Sequence, residues 1–206
     1  MSLWAVVPVK PLRRGKSRLA GILSTKDREN LNEQLLKRTI TSLKPVKEID
    51  EIIVISYDPA ALSLSRKFGI RTLQENRNTN INNALRKATM AAKGFHASKI
   101  LIVPADLPLI SSEDIENMLN LQARAPEIII APDRRMDGTN ALLINPIGIL
   151  DYDFGIWSFR KHVEQAERKK IRVEIYDNEN LAFDLDLPED LEYLKSLDVS
   201  KNMISL

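Results

Sequence analysis

A chain of 206 residues is long enough for one domain with a substantial core, and it contains no cysteine, which excludes disulfides and thiolate metal sites. Thirty Lys and Arg against 28 Asp and Glu leave a net charge of +2, too small to argue for nucleic acid as a partner. No apolar run approaches the length of a membrane span, and the first one is short and followed by cations, so the expectation is a cytoplasmic protein with neither membrane segment nor secretory leader.

In chain order, Leu3–Val9 predicts a strand that runs into Lys10 and the loop Pro11-Leu12-Arg13-Arg14-Gly15-Lys16-Ser17-Arg18. Asp27–Leu43 predicts a helix, with Leu31, Leu35, Leu36, Ile40 and Leu43 on one face and Ser24 and Asp27 spaced as a capping box. A strand at Glu51–Ser56 is followed by a helix at Pro59–Phe68, which starts behind Asp58 as N-cap and stops at Gly69. Next come a strand at Ile70–Leu73, a helix at Ile81–Lys93 and a strand at Lys99–Val103. A helix at Glu113–Ala123 follows the Ser111–Asp114 capping spacing. Strands at Glu127–Ala131 and Ala141–Asn145, a helix at Ser158–Lys169, a strand at Arg172–Tyr176 and a helix at Glu189–Leu197 complete the set. Residues 200–206 are expected to fray. Ile52-Ile53-Val54-Ile55 and Ile100-Leu101-Ile102-Val103 are continuously apolar, the pattern of central strands covered on both faces. Alternating strands and helices without a linker predict a single α/β domain over residues 1–206, with a mostly parallel sheet.

Ligands bind beyond the carboxyl ends of the strands of such a sheet. The first loop holds five cations there, counting Lys10, and with its backbone N–H groups it suits a polyphosphate. Asp106, between Pro104 and Pro108, follows the second continuous strand in a stiff turn and suits Mg²⁺. A strand order beginning 3-2-1-4 would put Lys10 and Asp106 in one crevice, an arrangement for a nucleoside triphosphate with Mg²⁺. In Ala182-Phe183-Asp184-Leu185-Asp186-Leu187, extended backbone points both carboxylates one way and the apolar residues into the body. Two like charges on one face call for a cation between them, although Asp186 is also an N-cap candidate. The polar stretch Pro132 to Asn140 is either a surface loop or, through Arg134, Arg135 and Thr139, a phosphate holder. Phe154-Gly155-Ile156-Trp157-Ser158-Phe159 opens a helix and offers both a cap at Ser158, with Trp157 and Phe159 in the core, and an anion site. His96 and His162 read as surface residues, so no nucleophile–base pair is expected.

Val7-Pro8-Val9-Lys10 with Gly15-Lys16-Ser17-Arg18-Leu19, Pro104-Ala105-Asp106-Leu107-Pro108, Asp137-Gly138-Thr139-Asn140, Phe154-Gly155 with Ser158-Phe159, and Phe183-Asp184-Leu185-Asp186 occur in that order. Together they resemble, over nearly the whole chain, the 2-phospho-L-lactate guanylyltransferase family of deazaflavin coenzyme F-420 biosynthesis. The resemblance implies a Rossmann-like nucleotidyltransferase domain with a mixed, mainly parallel sheet and helices on both faces. It implies that GTP and 2-phospho-L-lactate give lactyl-2-diphospho-5′-guanosine and pyrophosphate. Carried over, Asp106, Asp184 and Asp186 would coordinate Mg²⁺, and Thr139, Gly155 and Ser158 would hold the acceptor phosphate. Lys10, Lys16 and Arg18, with Gly15 and Ser17, would bind the GTP phosphates, with Lys10, Lys16 and Asp106 in catalytic roles. Asn80 stands where the family usually has Gly, in a turn that Asn tolerates at positive φ. Asn82 keeps the family's amide for base or ribose, and Glu75 is a candidate acceptor for guanine donors. Phosphoenolpyruvate and phosphoglycerate would suit the same acceptor contacts. A molybdopterin guanylyltransferase-like enzyme and a non-catalytic nucleotide-binding regulator are competing readings of the chain. A homodimer is expected by analogy.

Overall fold

The computed structural model describes residues 2–77 and 80–197, so the segment expected to fray lies outside the described residues. Every predicted strand forms: β1 (Leu3–Pro8), β2 (Glu51–Ser56), β3 (Arg71–Gln74), β4 (Lys99–Ile102), β5 (Glu127–Pro132), β6 (Thr139–Asn145) and β7 (Arg172–Ile175). The predicted helices form as α1 (Thr25–Leu43), α2 (Pro59–Lys67), α3 (Ile81–Gly94), α4 (Ser112–Asn120), α5 (Ser158–Arg168) and α7 (Pro188–Ser196). The one-turn helix α6 (Glu179–Ala182) and a 3₁₀ turn at Ser17–Leu19 are additions to the predicted set. Both are too short to carry a periodic signal. Ser24 and Asp27, and likewise Ser111 and Asp114, make the expected capping boxes.

The sheet order is β3-β2-β1-β4-β6-β5-β7, beginning as expected. Only β6 runs antiparallel to the rest, so the sheet is mixed and mainly parallel. The chain leaves β1 toward β2 and β3, then returns to place β4 on the other side of β1. The β1/β4 boundary is therefore the topological switch point, where neighbouring loops part and leave a crevice.

Alternate residues of each strand face opposite layers. Leu3, Ala5 and Val7 pack with Leu36, Ile40 and Leu43 of α1, Leu62 of α2, and Ile115 and Met118 of α4. Trp4 and Val6 face the other way, toward Ala84, Leu85 and Ala88 of α3 and Ala166 of α5. A third apolar cluster lies off the sheet. It joins Leu19 of the first loop, Leu31 and Leu35 of α1, Phe183 and Leu185, and Leu191 and Leu194 of α7. This cluster fixes the C-terminal segment against the first loop.

Leu185 is fully buried in that cluster. Leu185→Ala is expected to cost about 2–5 kcal/mol in urea unfolding. A loss below about 1 kcal/mol would mean that the third cluster does not hold the segment in place.

Candidate active site

The first loop is shaped by a few polar contacts. Leu12 is fully buried, and its N–H donates to Asp58 Oδ2 (2.8 Å) while its carbonyl accepts from Asn32 Nδ2 (2.6 Å). Asp58 also caps α2 by accepting from the Ala60 N–H at 2.9 Å. The Gly15 N–H donates to the Pro11 carbonyl at 2.8 Å. A Cβ on Gly15 would stand 2.6 Å from Asn32 Nδ2, so a larger residue would push that amide off the Leu12 carbonyl. Lys16 then adopts the left-handed conformation (φ 54°), and the 3₁₀ turn buries Leu19. The result is a sorting of the five cations. Lys10, Lys16 and Arg18 line a cleft of about 800 Å³. Arg13 turns away to Glu29 (2.9 Å), and with Arg14 it borders a separate, smaller depression.

Asp106 occupies the turn beyond β4, and its carbonyl accepts from the Leu185 N–H at 3.1 Å. That bond draws the extended segment 183–186 alongside. Phe183 and Leu185 enter the core, while Asp184 and Asp186 join Asp106 on the cleft wall. Lys16 Nζ lies 3.0 Å from Asp186 Oδ1 and 3.5 Å from Asp106 Oδ2, with 6% of its side chain exposed. Burial opposes the Lys16 charge, but Asp106, Asp186 and Asp184 outweigh it and raise the pKa. Asp184 is pushed up to about 6, first by burial and then by repulsion from Asp106 and Asp186. Burial also pushes Asp186 up, but Lys16, Lys10 and Arg18 outweigh it and its pKa falls. Arg18 reaches Asp186 Oδ2 at 3.6 Å.

Three carboxylates offer the hard oxygens a divalent cation takes, and Asp184 is the group such a cation would relieve. Among the described residues, no three acids or histidines stand close enough to form a finished metal cluster. The Lys16 ammonium lies between Asp106 and Asp186 instead.

The β5–β6 loop and the segment before α5 build another wall. The Phe159 N–H ties them together by donating to the Asp137 carbonyl at 3.1 Å. Gly155 has φ +128°, a conformation open to glycine, and Trp157 beyond it is left-handed at φ 60°. Ser158 Oγ donates to Thr139 Oγ1 at 3.2 Å. Thr139, Gly155 and Ser158 thus meet on the cleft wall at the N-terminus of α5. Arg134 is held by Asp190 and lies over the Phe183 ring, 4.5 Å from its centroid. Arg135 lines the same wall.

Several expectations need correcting. Asn82 does not line the cleft. Its Oδ1 accepts from the Phe154 N–H (2.8 Å) and its Nδ2 donates to the Phe154 carbonyl (3.2 Å), so the amide fixes the loop ahead of α5. Asn80 has φ −83° and needs no positive-φ tolerance, because it caps α3 by accepting from the Asn83 N–H at 2.9 Å. Ser17 is exposed on the 3₁₀ turn, off the cleft wall. Asp186 is not a cap: Asp190 instead accepts from the Asp186 and Leu187 N–H groups (2.9 and 2.7 Å). Trp157 is exposed at the rim rather than buried in the core. His162 is fully buried, not a surface residue. Its signal was legible, since Ser158, His162 and Ala166 share the buried face of α5 at a spacing of four. Asn32 and Asp58, which shape the first loop, carried no sequence signal for that role.

A switch-point cleft with cations and carboxylates on one wall and hydroxyls at a helix N-terminus on another is the arrangement of a nucleotidyltransferase. Solved structures agree on the fold. A nucleotidyl transferase from Methanothermobacter thermautotrophicus superposes with a TM-score of 0.70 at 14% identity, over 94% of this chain and 95% of that one. A cytidylyltransferase from Leptospira borgpetersenii gives 0.63 at 18% identity, over 100% and 89%. The family described as guanylyl transferase CofC like matches residues 3–197, and the chain belongs to that family.

Among its relatives, the chain is 39% identical over 196 residues to a phosphoenolpyruvate guanylyltransferase of Rubrobacter xylanophilus, covering 95% of each. It is 33% identical over 189 residues to a 2-phospho-L-lactate guanylyltransferase of Methanobrevibacter smithii, covering 92% of this chain and 82% of that one. The chain is therefore a nucleotidyltransferase, which sets aside the non-catalytic regulator. No helix among the described residues is long and apolar enough to cross a membrane.

The raised Asp184 pKa fixes the sign of one effect. Its carboxylate holds a proton more tightly folded than unfolded, so ionising it above pH 6 opposes folding. Without divalent cations, Asp184→Asn is expected to stabilise the fold at pH 8 by about 1–2 kcal/mol, after allowing for solvent screening. The gain should shrink as pH falls through 6 and vanish below the unfolded-state pKa near 3.8. Chemical denaturation at several pH values checks this, and a gain that grows on acidification would refute it.

Proposed function

We propose that the chain transfers guanylyl from GTP to the phosphate of a phosphorylated three-carbon acid and releases pyrophosphate. The observation that carries this reading is the lining of one cleft: Lys10, Lys16 and Arg18, which suit a triphosphate, and the hydroxyl of Thr139 beside Gly155 and Ser158, which suits a second phosphate. An oxygen of the acceptor phosphate attacks the α-phosphorus, and the bond to the bridging oxygen of the β-phosphate breaks with its electron pair on pyrophosphate. A phosphate monoester is largely dianionic at neutral pH, with a second pKa of about 6, so the attack needs no general base. Lys10, Lys16 and Arg18 offset the charge that grows on the leaving pyrophosphate. The two sites hold the reactants in line, which lowers the entropic cost of their meeting. Asp106, Asp184 and Asp186 are the residues that would hold Mg²⁺, whose charge, when bound, would offset that of the phosphates.

For the base we assign Glu75. Its Oε2 is buried without a hydrogen-bond partner among the described residues, on the cleft wall. Burial raises its pKa, opposed by Lys87. Guanine presents N1–H and an exocyclic amine side by side, and a carboxylate accepts both. Adenine, cytosine and uracil lack that adjacent pair.

Two acceptors compete. The motifs resemble 2-phospho-L-lactate enzymes, whose product would enter coenzyme F-420 biosynthesis, and the relative at 39% identity is named for phosphoenolpyruvate. Both molecules, like phosphoglycerate, carry a carboxylate near the phosphate, which Arg135 is placed to meet.

Mass spectrometry of incubations with Mg²⁺, each nucleoside triphosphate and each acceptor tests the reading. A diphospho-guanosine adduct with equal pyrophosphate is expected from GTP, and no adduct with any pair would overturn it. Asp106→Asn is expected to lower turnover by about 10²-fold or more with the fold intact. Glu75→Ala should cut the preference for GTP over other triphosphates by about tenfold, and an unchanged preference would remove Glu75 from base selection.

A further inference from the structure

We infer that His162 is a positioning residue that holds the Thr139 hydroxyl as a hydrogen-bond donor aimed at the acceptor phosphate. The inference rests on the acceptor pocket proposed above and adds the device behind it. His162 is fully buried on α5, one turn beyond Ser158, with the Phe154 ring against it edge-on at 5.0 Å between centroids. The Asp153 N–H donates to its Nε2 at 3.1 Å. A nitrogen that accepts carries no proton, so the neutral ring holds its hydrogen on Nδ1. Nδ1 lies 3.1 Å from Thr139 Oγ1 and therefore donates to it.

Thr139 Oγ1 also accepts from Ser158 Oγ at 3.2 Å. With both lone pairs occupied, the hydroxyl's one remaining capacity is its own hydrogen, and Thr139 is on the cleft wall. An oxygen that donates suits a phosphate, which only accepts. The backbone N–H of Asp153 thus determines, through one imidazole, what the cleft meets at Thr139. Burial lowers the His162 pKa to about 4, with Asp153 opposing and Lys161 assisting, so the ring stays neutral across the physiological range. Phe154 is in turn gripped by Asn82, which gives Asn82 a place in the same device.

The closing experiment has two independent arms. Nitrogen-15 NMR of the wild-type protein at pH 7 is expected to show His162 neutral with the proton on Nδ1. A proton on Nε2, or a charged ring, would overturn the inference. In the kinetic arm, His162→Leu is expected to raise the acceptor KM by about tenfold while the GTP KM stays within about twofold. His162→Asn keeps an amide N–H near the Nδ1 position and should recover most of the loss. Thr139→Val combined with His162→Leu should be no worse than Thr139→Val alone, because both remove one donor. Equal changes in both KM values, or no recovery with Asn, would reduce His162 to a packing residue. If the wild type made no product with any acceptor, the proposed function would fall, and the NMR arm would still decide the His162 tautomer.

Discussion

Three carboxylates at one end of a sheet repel each other, and the Lys16 ammonium makes that arrangement foldable. Its pKa rises and that of Asp186 falls, because each satisfies the other inside the cleft. Asp184 is the carboxyl that stays raised, because burial and repulsion from Asp106 and Asp186 outweigh its backbone hydrogen bond and Lys16. Lys10 and Arg18 add to Lys16 in lowering the Asp186 pKa, so the three acids face three cations across one cleft.

Holding Lys16 there takes more than charge. It sits in a left-handed backbone between Gly15, which packs against Asn32, and the buried Leu19. The acids are held from the other side by Phe183 and Leu185, in the same apolar cluster as Leu19. The ionic site therefore rests on an apolar one, built from two segments far apart in sequence, Leu19 to Leu35 and Phe183 to Leu194. The Leu185 N–H to the Asp106 carbonyl ties the later segment to the turn beyond β4. Loosening that cluster would let the carboxylates separate from Lys16 with no change to any charged residue.

Much of this was legible in the sequence, for identifiable reasons. The strand runs and capping boxes are local, so the strands and the main helices could be read directly. The alternation of Phe183, Asp184, Leu185 and Asp186 also carried its meaning, since extended backbone points alternate residues apart. What the sequence does not display is non-local. Nothing around Asn82 says that its amide will close on Phe154, 72 residues away. Arg13 and Lys16 look alike in a charge run, and only the fold sends one to Glu29 and the other to Asp186. The charged neighbours of His162 suggest a surface, while its spacing from Ser158 and Ala166 points inward, and the spacing is the signal that holds.

The two walls of the cleft work by different physics. On the wall proposed for the triphosphate, Lys10 and Arg18 are exposed long side chains whose attraction weakens with salt and whose geometry is soft. On the wall proposed for the acceptor, Thr139, Ser158 and His162 are buried, uncharged and linked to one another and, through His162, to backbone. Their hydrogen bonds are directional and are screened little by salt. Loose charge suits a triphosphate whose terminal portion must leave. The same division explains why backbone strain gathers here. Lys16, Met136 and Trp157, three of the five non-glycine residues with positive φ among those described, lie in the loops around this cleft. Such conformations persist only where surrounding contacts over-determine them. The Asp58 cap, the Asn82 clasp, the buried Leu19 and Asp133, which accepts from the Arg135 and Asp137 N–H groups, are those contacts, and each stiffens a loop around the cleft.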